Sequence, residues 1–214
     1  MRAVRTRVKV CGITTVDDAR AAVSAGADGI GVILASSKRE VTIEEAADIM
    51  SCVPPLVSRI AVFVDAPEGF VREAIARLSL TAVQFHGSES PTLCASMPVP
   101  VIKAMRVGDE FDPAAIEPYR GSIAAVLLDT LVAGVDGGSG RAFDWSSVVG
   151  MPSWAPMIVA GGLTPVNVGR AVRALRPFAV DVSSGVEERL RHKDRMKLMA
   201  FVAAVHAADG EDER

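Results

Sequence analysis

Tyrosine occurs once in this chain, tryptophan twice, and histidine and cysteine three times each. Each scarcity removes a class of protein. His86, His192 and His206 show neither HxH nor HExxH spacing, so a histidine-built metal centre is not expected. Cys11, Cys52 and Cys94 have neither the even count nor the close spacing of a disulfide framework or a zinc site. Positive charge is also short: the formal net charge is −3, which supplies no field for nucleic acid or an anionic membrane. Arg2, Arg5 and Arg7 lie near the start, but no apolar core of a signal peptide follows them. No run approaches the roughly 18 apolar residues of a membrane span. The expectation is a soluble, cytoplasmic protein that binds neither nucleic acid nor membrane and holds no metal.

What is abundant is aliphatic. Half of the 214 residues are hydrophobic, mostly Ala, Val, Ile and Leu spread evenly along the chain, which suits buried parallel strands under Ala-rich helices. Short β-branched runs alternate with helical periods, and eight of them read as strands: 7–11, 29–34, 60–64, 82–85, 101–104, 124–129, 157–160 and 179–182. Thr15 before Asp17 and Asp18, and Thr42 with Glu45, carry helix-start chemistry. The clearest amphipathic helices are 166–175 and 194–206, and the least defined is the fifth, around 111–118. Eight strand-helix units in sequence predict an α/β fold, a (β/α)8 TIM barrel formed as one domain over residues 1–214. That fold typically runs to about 250 residues, so the loops or helices here must be short. Residues 208–214 read as a disordered acidic tail. Gly134 to Gly140, after strand six, reads as a mobile loop or a partial lid over the active-site rim.

Chemistry concentrates where strands end. Strand seven runs into Gly161-Gly162 and strand eight into Ser183-Ser184-Gly185. Side-chain-poor turns there let backbone N–H groups approach phosphate oxygens; the alternative is a pair of tight turns that need positive φ. Cys11 closes strand one and Asp129 closes strand six, so both reach the same rim. A thiol and a carboxyl over one rim make a base and an acid for proton transfer, whereas the plain alternatives are a small buried hydrophobe and a loop-capping carboxylate. Lys38-Arg39, taken alone, reads equally as a solvated pair. Gln84 and His86 end strand four and line a pocket or satisfy the core; Asp181 orients a ligand hydroxyl or satisfies backbone donors. Cys52, Cys94, His192 and His206 read as packing residues, and Phe143-Asp144-Trp145 as a helix start that anchors the Gly-rich loop.

Seven ordered blocks carry a more specific likeness. They are Lys9 to Thr14, Val83 to Gly87, Ile102 to Val107, Leu127 to Asp129, Gly137 to Gly140 with Phe143 to Trp145, Ala160 to Leu163, and Val180 to Glu187. Together they resemble the phosphoribosylanthranilate isomerase family over nearly the whole chain. The resemblance implies a cofactor-free Amadori rearrangement of N-(5'-phosphoribosyl)anthranilate in tryptophan biosynthesis. It makes Cys11 the general base, Asp129 the general acid, and Arg39 the partner of the anthranilate carboxylate. A monomer or a homodimer is expected. The chain departs from the family at Val32-Ile33-Leu34-Ala35, where many members carry phenylalanines, and at Ser37-Lys38-Arg39, where many have a Ser-Pro-Arg turn.

Three rivals remain open at this level. A related barrel isomerase of histidine biosynthesis typically places an aspartate where Cys11 stands and needs a second phosphate site. A non-catalytic phosphosugar-binding barrel would not need both Cys11 and Asp129. A metal-dependent epimerase barrel is opposed by the histidine count.

Overall fold

The computed structural model describes residues 5–108, 111–130 and 151–211. Eight parallel strands close into a barrel in chain order: β1 (Arg7–Val10), β2 (Gly29–Ile33), β3 (Ser58–Phe63), β4 (Ala82–Phe85), β5 (Val101–Val107), β6 (Ala125–Thr130), β7 (Met157–Ala160) and β8 (Ala179–Val182). Closure comes from β1 against β8, with Lys9 in register with Asp181. All eight expected strands are present, with ends displaced by a few residues at most.

The helices start where local chemistry starts them. The Thr15 side chain accepts from Asp18 N at the head of α1 (Val16–Ala25). Thr42 and Glu45 form a complete capping box on α2 (Ile43–Ser51). Ser90, with Pro91 behind it, opens the short α4 (Pro91–Ser96), and α3 (Glu68–Leu78) lies between. The weakly defined fifth helix is a 3-10 segment, Pro113–Tyr119. Two of its residues, Pro113 and Pro118, lack the N–H that an α-helix would use. α5 (Val168–Leu175) begins two residues later than the sequence pattern suggests because Asn167 turns back, donating to Gly162 O and accepting from Thr164 N. The Gly-rich loop at 134–140 and the Phe143-Asp144-Trp145 segment lie outside the described residues.

The acidic tail needs correction. α6 spans Arg195–Glu211, so residues 208–211 are helical rather than disordered. Ala208 is buried, and Asp209 accepts from both N and Oγ1 of Thr6, which docks the last turn beside the first strand. Leu198, Phe201, Val202, Val205 and Ala208 form the inward stripe at helical spacing. His206 falls off that stripe and is exposed, contrary to its reading as a packing residue. An element absent from the sequence reading is an antiparallel hairpin, β9 (Glu187–Arg189) with β10 (His192–Lys193), after β8. No helix among the described residues is long and apolar enough to cross a membrane.

Strand alternation divides the apolar residues into two sets. One face packs against the helices in the main core, with Val83, Phe85 and Val101. The other forms a separate cluster of Ile60, Ile102, Ala104, Ala125, Leu127, Ile158, Ala160 and Ala179, which fills the barrel interior. Lys9, Cys11, Gln84, Asp129 and Asp181 continue this inward set by two-residue steps toward the C-terminal ends of the strands.

Candidate active site

The inward set turns polar at the rim. Asp129, on β6, faces His86, just past β4, with Nε2 and Oδ2 3.3 Å apart and both side chains partly open. Gln84, one step deeper on β4, is 2% exposed, and among the described residues its Oε1 meets no hydrogen-bond donor. A buried amide oxygen without a donor is costly, which makes Gln84 a candidate polar contact at the base of the rim.

Cys11 follows β1, its N–H bonded to Val182 O at 2.8 Å, and its side chain is buried. Burial pushes the Cys11 thiol up from its ordinary value, and nearby Asp181 adds to this, against the pull of Lys9 and Lys193 in the other direction. Asp181 does not point at free space; it forms a buried ion pair with Lys9, Nζ to Oδ1 3.0 Å. Burial would favour the neutral amine of Lys9, yet the facing Asp181 and Cys11 outweigh it and hold Lys9 above its ordinary value. Room for this cluster comes from β2. A Cβ on Gly31 would sit 3.0 Å from Cys11 Sγ and 3.2 Å from both Cε and Nζ of Lys9. Gly31→Ala is therefore expected to cost about 1–3 kcal/mol by overpacking and to lower kcat. Thermal melts together with turnover rates would check this, and wild-type values for both would refute it.

A second charged cluster stands beside the first. The hairpin carries Glu187 and Lys193 back over the rim, where Arg39 grips Glu187 through Nε and Nη2, each at 2.6 Å. The Arg39 fork thus already has a carboxylate partner within the protein. Its stem still passes beside Gly12 and Ser183, next to Cys11: a Cβ on Gly12 would meet Arg39 Cδ at 2.6 Å and Ser183 Oγ at 2.9 Å. Lys193, fully enclosed, donates to Ser183 O at 3.0 Å and to Glu187 Oε1 at 3.3 Å.

Both ends of the Glu187–Lys193 contact are shifted downward, which favours the charged form of Glu187 and the neutral form of Lys193. Burial alone would raise Glu187, but Arg39 and Lys193 outweigh it and hold the carboxyl below its usual range. For Lys193, burial wins over Glu187, and Arg39 adds repulsion, so the amine lies below its usual range. The Glu187 end sets the acid behaviour. A depressed carboxyl contributes stability that is complete above its ordinary value of 4.5 and is lost as pH falls through the lower folded value. The stability gap between wild type and Glu187→Gln, followed by urea unfolding, is expected to close as pH drops from neutral through that window. A gap that stayed constant would contradict the pairing.

The Gly-rich stops lie at adjacent strand ends. Gly161 and Gly162 take φ of 88° and 60°, so the tight-turn requirement is real, and Asn167 braces the turn through Gly162 O. Ser183 precedes a short 3-10 turn, Ser184–Val186. Gly185 touches the first turn directly, since a Cβ there would overlap Leu163 O at 1.8 Å. Small residues at both stops thus serve backbone geometry.

Several contributors were not singled out from the sequence: Lys9, Glu187, Lys193, and a buried Lys103–Glu89 pair at 3.1 Å. Lys103 also donates to Gly87 O, and Glu89 accepts from Asp65 N and Gly87 N, which ties down the loop carrying His86. A lysine inside an otherwise apolar strand, as in Val8-Lys9-Val10 and Ile102-Lys103-Ala104, was the available signal. Arg106, exposed at the end of β5 and in register with Asp129, adds a further rim cation. Cys94 is buried and Cys52 half-buried at the end of α2, in agreement with packing roles. Among the described residues no group of His, Cys, Asp and Glu is arranged to hold a metal ion.

Comparison with known proteins bears on this rim. The family model described as N-(5'phosphoribosyl)anthranilate (PRA) isomerase matches residues 8–204. The N-(5'-phosphoribosyl)anthranilate isomerase of Pseudomonas fluorescens (strain SBW25) is 46% identical over 213 residues, 98% of this chain and 99% of its own length. The crystal structure of the phosphoribosyl anthranilate isomerase from Thermotoga maritima superposes with a TM-score of 0.87 at 38% identity, covering 94% of this chain and 99% of that one. A phosphoribosyl anthranilate isomerase in complex with reduced 1-(o-carboxyphenylamino)-1-deoxyribulose 5-phosphate gives a TM-score of 0.84 at 36% identity, with the same coverage.

Proposed function

The chain belongs to the N-(5'-phosphoribosyl)anthranilate isomerase family, and from that premise we propose that Cys11 and Asp129 are its base and acid. The reaction is the isomerisation of N-(5'-phosphoribosyl)anthranilate to 1-(2-carboxyphenylamino)-1-deoxyribulose 5-phosphate in tryptophan biosynthesis. It moves protons and electron pairs within one molecule, so no redox partner enters the balance.

In this reading Asp129 delivers its proton to the furanose ring oxygen. The C1'–O bond breaks, and the anilino nitrogen lone pair forms the imine. The imine acidifies the C2' hydrogen, which the Cys11 thiolate removes to give the enamine. Proton transfer to C1' and loss of the C2' hydroxyl proton then yield the ketone. His86 holds Asp129, and Gln84 lies below them as a polar contact for the sugar. Backbone N–H groups of Gly161, Gly162, Ser183, Ser184 and Gly185 receive the phosphate, with Lys193 bonded to Ser183 O. Asp181 acts on the sugar through its rim-side oxygen while Lys9 holds the other. Arg39, fixed by Glu187 through two of its nitrogens, offers its remaining guanidinium edge to the anthranilate carboxylate.

The observation that carries this reading is the convergence of Cys11, the Asp129–His86 pair and two Gly-rich turns on one end of the barrel. The protein is read as cytoplasmic, and as a monomer or homodimer; light scattering of the purified protein separates the latter two. The functional test is turnover of phosphoribosylanthranilate, made in situ from anthranilate and phosphoribosyl pyrophosphate and followed by loss of fluorescence. Dialysed, EDTA-treated protein is expected to work at full rate. A requirement for added metal, or no turnover by folded protein, would overturn the acid-base reading.

A further inference from the structure

A base made from an enclosed thiol faces a physical obstacle, because burial opposes formation of the thiolate. The same small volume contains a cation. Lys9 stands two residues before Cys11 on the inward face of β1, its side chain 5% exposed and its Nζ 3.0 Å from Asp181 Oδ1. The gap left by Gly31 on β2 is bounded by the Cys11 sulfur on one side and the Lys9 ammonium on the other. Elsewhere the barrel interior is filled by Ile60, Ile102, Leu127 and Ile158. An ion pair in that place does not improve on apolar packing for stability alone.

We propose that Lys9 is the positioning residue that holds the Cys11 sulfur as a thiolate, and that Asp181 divides the Lys9 charge between the resting and reacting states. The inference rests on Cys11 being the base. The thiol proton leaves to water at the open rim, and the resulting thiolate takes a share of the Lys9 Nζ–H donors. When the sulfur takes the C2' proton its charge disappears, and Lys9 returns fully to Asp181. The other charged groups facing the sulfur are Lys193 on β10 and Arg39 from the loop after β2, both cationic. Among the described residues Asp181 is the anion that acts most strongly against the thiolate, and the two members of the Lys9–Asp181 pair act on Cys11 in opposite senses.

That opposition supplies the test. Iodoacetamide alkylation of Cys11 is measured against pH by mass spectrometry of the Cys11 peptide, which keeps Cys52 and Cys94 separate. In Lys9→Met the midpoint is expected to rise by about one to three pH units, and in Asp181→Asn to fall. A residue with only a structural part would move both variants the same way, or neither, and either result would overturn the proposal. If Lys9→Met does not fold, Asp181→Asn decides alone: a lower midpoint supports the role of Lys9, and an unchanged or higher one removes it. Turnover by Cys11→Ala tests the base reading separately, since its retention would discard that reading while the alkylation midpoints still decided the Lys9 coupling.

Discussion

Cys11→Ala and Asp129→Ala are each expected to lower kcat for phosphoribosylanthranilate by about 10²- to 10⁴-fold, the usual contribution of a positioned base or acid. KM should change far less, because neither side chain is assigned the phosphate or the anthranilate ring. The two losses should not add: with one proton transfer already crippled, removing the partner changes little, and the double variant is expected near the slower single one. Both side chains can be removed without wrecking the fold. Asp129 is partly open at the rim, and Cys11 is a small side chain at the end of β1, so its loss removes a single sulfur atom from the rim end of the barrel. The fluorescence assay, with melting curves in parallel, gives the answer. Folded Cys11→Ala retaining a tenth or so of wild-type kcat would dismiss the thiol as base, and the same result for Asp129→Ala would shift the acid role toward His86.

The second large effect is expected from one methyl group. Gly185→Ala places Cβ 1.8 Å from Leu163 O and 2.9 Å from Leu163 C, both backbone atoms of the opposing turn. A side chain could rotate away, but a carbonyl in a braced turn cannot, and Asn167 holds that turn from the other side. The two Gly-rich loops must therefore separate. The cost is expected to be about 1–3 kcal/mol or more, typical of overpacking. Because the same N–H groups are assigned the phosphate, KM should rise in step. Gly169→Ala in α5 is the control: its Cβ would meet Ala204 O at an ordinary 3.5 Å, and the helix should gain roughly 0.5–1 kcal/mol. Equal melting temperatures and KM for wild type and Gly185→Ala would show that the turns are not coupled as the geometry indicates.

Much of this protein is legible in its sequence. The eight strands announced themselves by β-branched runs, and Thr15 and Thr42 opened helices where their hydroxyls predicted. Cys11 and Asp129 stood out because each ionisable group closes an apolar run, and in a barrel every strand ends on one rim. The sequence is silent where distant chain decides the outcome. The last acidic residues read as disordered by composition, but Asp209 accepts from Thr6 near the other end of the chain. The resemblance matches Arg39 to a substrate carboxylate, and the hairpin that brings Glu187 to it as a partner within the protein has no clear signature, being only a few residues long.

Strand and helix order and the barrel class follow from the residue order itself, since periodicity, capping and turn chemistry act over a few neighbours, and the placement of Cys11 and Asp129 at strand ends follows with them. Closure of the barrel settled the rest. Lys9 meets Asp181 across 172 positions and Arg39 meets Glu187 across 148, distances over which composition carries no information. Such pairs exist only once β1 has been laid against β8, and the charge that surrounds the Cys11 sulfur is therefore a property of the closed fold.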